Sequence, residues 1–251
     1  MRHLATWLFV AFTLGAVAAP VHAKPAILAV APTTPTGPGV IKGSIKWKGA
    51  APTRAVLRRD SDPACTGEAL DESIVVTKKR LAGVLVRIKN GTAGTWTAPT
   101  APAVLSQRNC AYTPRVRGIQ SGQPLAVDND DATYHNVRGE RAGRMAFYDS
   151  QPKGAARILK SSVGVAGDVL DLKCDVHPWM HAYVPVQDHP FFAVTGTDGS
   201  FELRGLAAGT YVLEAWHPVL GLKSQTITIG DGRKATAKAS FTFKAPKAAT
   251  P

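Results

Sequence analysis

Cys174-Asp175-Val176-His177-Pro178-Trp179-Met180 places a thiol, an imidazole and a thioether within seven residues. Upstream, Tyr134-His135-Asn136-Val137 supplies a second imidazole after the polar turn Asp128-Asn129-Asp130-Asp131. A thiolate, two imidazoles and a weak thioether form the ligand set of a blue-copper electron-transfer site. The roles that fit are His135, Cys174 and His177 as strong trigonal ligands and Met180 as the weak axial one. Cu(I) prefers sulfur and Cu(II) favours imidazole nitrogen, so a mixed set reorganises little when an electron arrives. Taken singly, a cysteine is usually a small buried hydrophobe, and a histidine a hydrogen-bonded core or surface residue. Three ligand types at this spacing, with a distant His-Asn-Val, are much harder to reach by chance. His181 is a rival for the axial position, but neighbouring strand residues face opposite ways, which turns it outward. Nothing in the spacing of His189 or His217 recruits them.

The strand leading into the loop alternates: Leu170, Leu172 and Cys174 share one face, so the sulfur is delivered inward at the strand's end. Asn136 is placed to hydrogen-bond the Cys174 side and tie the two ligand segments together. Leu125 and Val127 predict the strand before the acidic turn. Met145–Tyr148 and Arg157–Leu159 predict two more, separated by a Gly/Pro loop.

Cys174-x-x-His177-x-x-Met180, with Pro178 and the aromatic Trp179 before the methionine, resembles the copper loop of amicyanin and related cupredoxins. His135-Asn136-Val137 is similar to the segment that supplies their first ligand. The resemblance spans roughly Thr100 to Asp188 and implies a small Greek-key β-sandwich. It also implies that His177 lies nearest the surface and conducts the electron, ringed by Pro178, Trp179 and Met180. Asp175 and Val176 depart from the family pattern, which has a small residue and a proline there, and bring a carboxylate near the metal. The long strand aromatic expected near Leu172 is missing.

After Asp188 the pattern changes. Thr197-Asp198-Gly199-Ser200-Phe201 holds a hairpin turn at Asp198-Gly199. Leu206-Ala207-Ala208-Gly209-Thr210-Tyr211 follows, and Thr226–Ile229 alternates again. These motifs resemble the non-catalytic carboxypeptidase regulatory-like, transthyretin-like β-sandwich. Val40–Trp47 alternates and looks like its opening strand; Ile74–Thr77 is a further strand. Leu81–Lys89 looks like its second, with Val84, Val86 and Ile88 on one face and a turn at Asn90-Gly91. The expected organisation is therefore all-β, a cupredoxin sandwich at 99–188 inserted into a regulatory-like sandwich built from 39–98 and 189–245. Insertion is physically easy when the ends meet at a loop.

The outer segments read differently. Residues 1–23 form a secretory signal, with a short basic start, an apolar stretch and the small-residue site Val21-His22-Ala23. The apolar stretch is shorter than the ~20 residues a spanning helix needs, so cleavage near Ala23 and a periplasmic or secreted location are expected. The stretch 24–38 reads as a flexible linker and 246–251 as a disordered tail. The formal charge of +12 falls to about +11 once Arg2 leaves, which favours an acidic redox partner and, given export, no nucleic acid. The clusters Arg54/Arg58/Arg59, Lys78/Lys79/Arg80 and Arg138/Arg141/Arg144 read as solvated loop charge.

With Cys174 given to copper, Cys65 and Cys110 remain, and an oxidising compartment favours a disulfide between them. Two buried thiols or a second metal site are the alternatives, although no His or Cys lies at ligand spacing near either. One type-1 copper carrying single electrons is the leading functional reading; capture or storage of copper by an envelope β-protein is the rival. A multicopper enzyme is disfavoured, because the chain has no His-x-His pair.

Overall fold

The computed structural model describes residues 35–89 and 94–246. The expected signal, most of the expected linker, the Asn90-Gly91 turn and all but Pro246 of the expected tail lie outside them. Among the described residues the regular structure is all extended, apart from a single 3-10 turn at Gly232–Ala235. The strands run β1 (Gly39–Lys48), β2 (Val76–Thr77), β3 (Arg80–Leu81), β4 (Leu85–Ile88), β5 (Ala103–Gln107) and β6 (Tyr112–Thr113). Next come β7 (Ile119–Gln120), β8 (Leu125–Asn129), β9 (His135–Arg141), β10 (Arg144–Gln151), β11 (Ile158–Lys160) and β12 (Val169–Lys173). The last are β13 (His181–Gln187), β14 (Phe192–Val194), β15 (Ser200–Leu206), β16 (Gly209–His217), β17 (Gly221–Ile229) and β18 (Thr236–Lys244).

Four sheets result. One has the order β15-β1-β3-β2, with β18 also on β1; another is β14-β4-β16-β17. Both draw only on strands before residue 89 and after 191. The remaining two, β10-β9-β12-β13-β7 and β11-β8-β5-β6, use the strands between. The hydrophobic cores divide the same way. Ile41, Ile45, Trp47, Leu203, Leu213, Phe241 and Phe243 belong to one, and Leu105, Leu125, Val127, Leu170, Leu172 and Val184 to the other.

Lys46 of β1 pairs with Arg80 of β3, and over its first part, up to Ser44, β1 sits between two partners, antiparallel to β15 and parallel to β18. Gly43 marks where these neighbours close in. A methyl group there would stand 2.2 Å from the Ala239 carbonyl oxygen and 2.3 Å from the Phe201 ring, so only glycine fits. β18 itself buries Ala237, Ala239, Phe241 and Phe243 at period two.

The single strand expected at Leu81–Lys89 is two strands in different sheets. Gly83, at φ +70, turns the chain between them, and its N–H donates to the Thr195 carbonyl. Val84, Val86 and Ile88 do face the core, but Leu85 on the opposite face is buried as well. It approaches Gly118 beside the Phe192 ring, where the two sets of sheets meet. Arg87 also spans that junction, donating to Glu214 and to the Gln187 side chain.

One expected patch of solvated charge is corrected. Arg59 is buried, and its guanidinium donates to the carbonyls of Asn109, Thr66 and Gly67. It fastens the segment between β1 and β2 onto the turn between β5 and β6.

Candidate metal centre

β8 runs into the acidic turn, and the turn sets His135 at the first position of β9, where His135, Asn136 and Val137 are all buried. β12 alternates intermediate and buried residues and ends just before Cys174, which continues its buried face. The loop then closes on itself: the Met180 N–H donates to the His177 carbonyl, and the Cys174 N–H to the Met180 carbonyl. This closure turns His177 back toward His135.

Three ligand atoms converge. His135 Nδ1 lies 3.0 Å from His177 Nδ1, and Cys174 Sγ lies 3.9 Å and 3.8 Å from those two nitrogens. Trigonal bonds of about 2.0 Å to nitrogen and about 2.3 Å to sulfur would set nitrogen–sulfur separations of about 3.7 Å and a nitrogen–nitrogen separation of about 3.5 Å, so a transition-metal ion fits once the two imidazoles open by about 0.5 Å. Met180 is fully buried and packs in the same core as Cys174. Burial pushes the Cys174 thiol above its ordinary value, against hydrogen bonds to the sulfur that lower it. Burial also lowers His135, opposed by its hydrogen bond to Asp131.

The supporting groups are built as tightly. Asn136 Oδ1 accepts from the Asp175 N–H at 2.8 Å and from the Cys174 thiol at 3.5 Å, joining the two ligand segments. Its amide donates to Asp175, whose carboxylate also meets Arg138. Tyr112, absent from the sequence reading, donates its hydroxyl to the carbonyls of Asn136 and Lys173, across the ends of β9 and β12. Two carboxylates were also missed. Asp131 Oδ2 lies 2.9 Å from His135 Nε2, and Asp62 Oδ2 lies 2.9 Å from His177 Nε2. Asp131 stood in the acidic turn and was readable. Asp62 carried no signal, because 115 residues separate it from its histidine.

Cys65 and Cys110 are joined by a disulfide, and Cys65 Sγ stands 3.7 Å from His177 Nε2. This corrects the expectation that His177 lies nearest the surface. The ring is 2 % exposed, because the segment carrying Asp62 and Cys65 lies over it and the disulfide and Arg59 hold that segment down. Trp179 is the half-buried neighbour. Its ring centroid is 5.1 Å from that of His177, and its indole donates to the Cys110 carbonyl. With Pro178 and Met180 it lines a cleft of about 640 Å³ that Arg54, Arg108 and Arg115 also face.

The other histidines stand apart. His181 pairs with Asp171 and stacks on Tyr183. His189 donates to the Ile88 carbonyl, and burial lowers it. His217 is pushed down to about 4 by burial and accepts the N–H groups of Val219 and Leu220.

No family model matches the chain, and no curated protein sequence matches it. Among solved structures it is similar to cupredoxins over part of its length. A purple cupredoxin from Nitrosopumilus maritimus is 22% identical, with 34% of this chain and 99% of that one covered and a TM-score of 0.29. Amicyanin from Paracoccus versutus is 19% identical, with 41% and 97% covered and a TM-score of 0.31. A Cu-containing nitrite reductase from Thermus scotoductus SA-01 is 16% identical, with 39% and 24% covered and a TM-score of 0.29.

Proposed function

We propose that the chain is an exported, non-enzymatic copper protein that carries single electrons between redox partners. The observation that supports it most is the convergence of Cys174 Sγ, His135 Nδ1 and His177 Nδ1 in a buried pocket. His135, Cys174 and His177 would hold the ion, with the buried Met180 thioether as a weaker fourth donor. Copper bound there would supply a one-electron couple. The surrounding residues keep the ligands still. Tyr112 and Asn136 brace the two strand ends, and burial excludes water from the sulfur. Trp179 touches the His177 ring and faces the cleft, so that cleft, lined by arginines and by Glu68, Asp71 and Glu72, is the proposed approach for a partner. An acidic one is favoured by the basic charge of the whole chain. Among the described residues no helix is long and apolar enough to cross a membrane.

Copper storage is the second reading, favoured by the covered His177 edge. Absorption and electron-spin-resonance spectra of copper-loaded protein separate the two. An intense visible band supports electron transfer; bound, colourless Cu(I) that no oxidant turns blue would sink it. The same spectra test the axial ligand. Met180→Leu is expected to retain copper with an altered potential, and His181→Ala to change neither, since that ring is held by Asp171. A strong spectral shift in His181→Ala with none in Met180→Leu would reverse the assignment.

We also propose that 39–98 and 189–245 form a regulatory-like module into which 99–188 is inserted. The division of sheets and cores supports it. Replacing 99–188 by a short Gly/Ser loop is expected to leave a cooperatively melting β-protein by circular dichroism. An unfolded product, alongside an isolated 189–245 that folds, would refute the interleaved arrangement.

A further inference from the structure

A neutral imidazole carries one hydrogen, and its metal-facing nitrogen offers a lone pair only when that hydrogen sits on the other nitrogen. Whatever accepts at Nε2 therefore decides what Nδ1 presents. For His135 the acceptor is local: Asp131 lies four residues earlier and is held by the N–H groups of Asn109 and Cys110. For His177 the acceptor comes from outside the sheets that carry the ligands. Asp62 Oδ2 lies 2.9 Å from His177 Nε2 and also accepts the Thr133 hydroxyl at 2.7 Å. Its other oxygen accepts the Ala64 N–H at 2.8 Å. The carboxylate is thus fixed from two directions before it meets the ring. The nearest other group, Cys65 Sγ at 3.7 Å, is bonded to Cys110 and has no hydrogen to give.

We infer that Asp62 is a positioning residue for the metal centre, accepting the Nε2 hydrogen of His177 so that Nδ1 presents its lone pair beside Cys174 and His135. The inference rests on the copper reading for its purpose, but not for its geometry. It makes the covering segment between β1 and β2 part of the site. The ligands come from one pair of sheets, and the group that orients His177 comes from a segment threaded between strands of another.

The test compares Asp62→Asn, Asp62→Ala and Asp62→Glu. The amide is nearly isosteric with the carboxylate. With its oxygen kept on the Ala64 N–H, its NH2 group stands where Oδ2 stood. There it donates toward His177 Nε2, favouring the tautomer that points a hydrogen at the metal, the same error that an Asp→Asn change makes in a catalytic triad. Asp62→Asn is therefore expected to be worse than Asp62→Ala, in which water can take the Nε2 hydrogen. A residue that merely fills space or braces the segment would give the opposite order.

Two readouts are used. Copper transfer to a competing chelator is expected to be about 10–100-fold faster in Asp62→Asn, less so in Asp62→Ala, and partly restored in Asp62→Glu. Nitrogen-15 spectra of the metal-free protein are expected to show hydrogen on His177 Nε2 in the wild type and not in Asp62→Asn. Copper retention in Asp62→Asn equal to wild type, milder loss in Asp62→Asn than in Asp62→Ala, or an unchanged Nε2 signal would each overturn the inference. If wild-type protein takes up no copper, the functional reading fails, and the Nε2 comparison alone decides the role of Asp62.

Discussion

Cys174→Ser is expected to abolish the intense visible band of the copper-loaded protein, because a hydroxyl cannot supply the sulfur-to-copper charge transfer behind it. Affinity should fall as well: a soft thiolate is the donor that holds Cu(I), and a neutral alcohol is a poor replacement. The fold should persist. Serine is close to cysteine in size, and its hydroxyl can donate to Asn136 Oδ1, as the thiol does. The new polar group is then satisfied at a buried position, and its cost is expected to be about 1 kcal/mol. Absorption of copper-loaded protein, with thermal melting of the metal-free form, makes the measurement. A variant that keeps the band at wild-type strength would end the blue-copper reading; one that does not fold tests nothing until Cys174→Ala is compared.

How far the residues announced this site depends on how local each contact is. Cys174, His177 and Met180 sit in one short loop, and the alternation of Leu170, Leu172 and Cys174 gave the strand's inward face in advance. The all-β class followed from short alternating runs broken by glycine and proline. β18 was equally regular and went unread, although Ala237, Ala239, Phe241 and Phe243 alternate as clearly as any strand in the chain. β3 and β4 read as one strand because Leu81, Val84, Val86 and Ile88 follow closely as apolar residues, and the left-handed Gly83 that turns the chain between them is a single glycine. Arg59 looked like one more solvated charge because its three carbonyl acceptors come from two loops, one of them far along the chain. Asp62 lay beyond any local pattern. A carboxylate in a loop says nothing about a histidine more than a hundred residues on, so the closed edge of the site could be seen only in three dimensions.

Replacing Cys65 and Cys110 together by serine is expected to have the largest effect on stability. The bridge spans 45 residues, and loop-closure entropy for such a length corresponds to about 4 kcal/mol. Denaturant unfolding should show that loss as a lowered midpoint with a steeper slope, because the unfolded chain without the bridge is less compact and exposes more surface. The same substitution should separate the segment's two duties. Without the disulfide, the segment keeps the hydrogen bond of Arg59 to the Asn109 carbonyl and those of Arg54 to the Leu70 and Asp71 carbonyls. Only the first of these reaches across to the turn between β5 and β6. Asp62 should therefore visit His177 less often, and copper should pass to a chelator faster even under conditions where the protein remains folded. A stability loss below about 1 kcal/mol would show that the segment is held without the bridge. A full stability loss with unchanged copper exchange would show that Arg59 and Thr133 suffice to keep Asp62 in place, and would confine the disulfide to the fold.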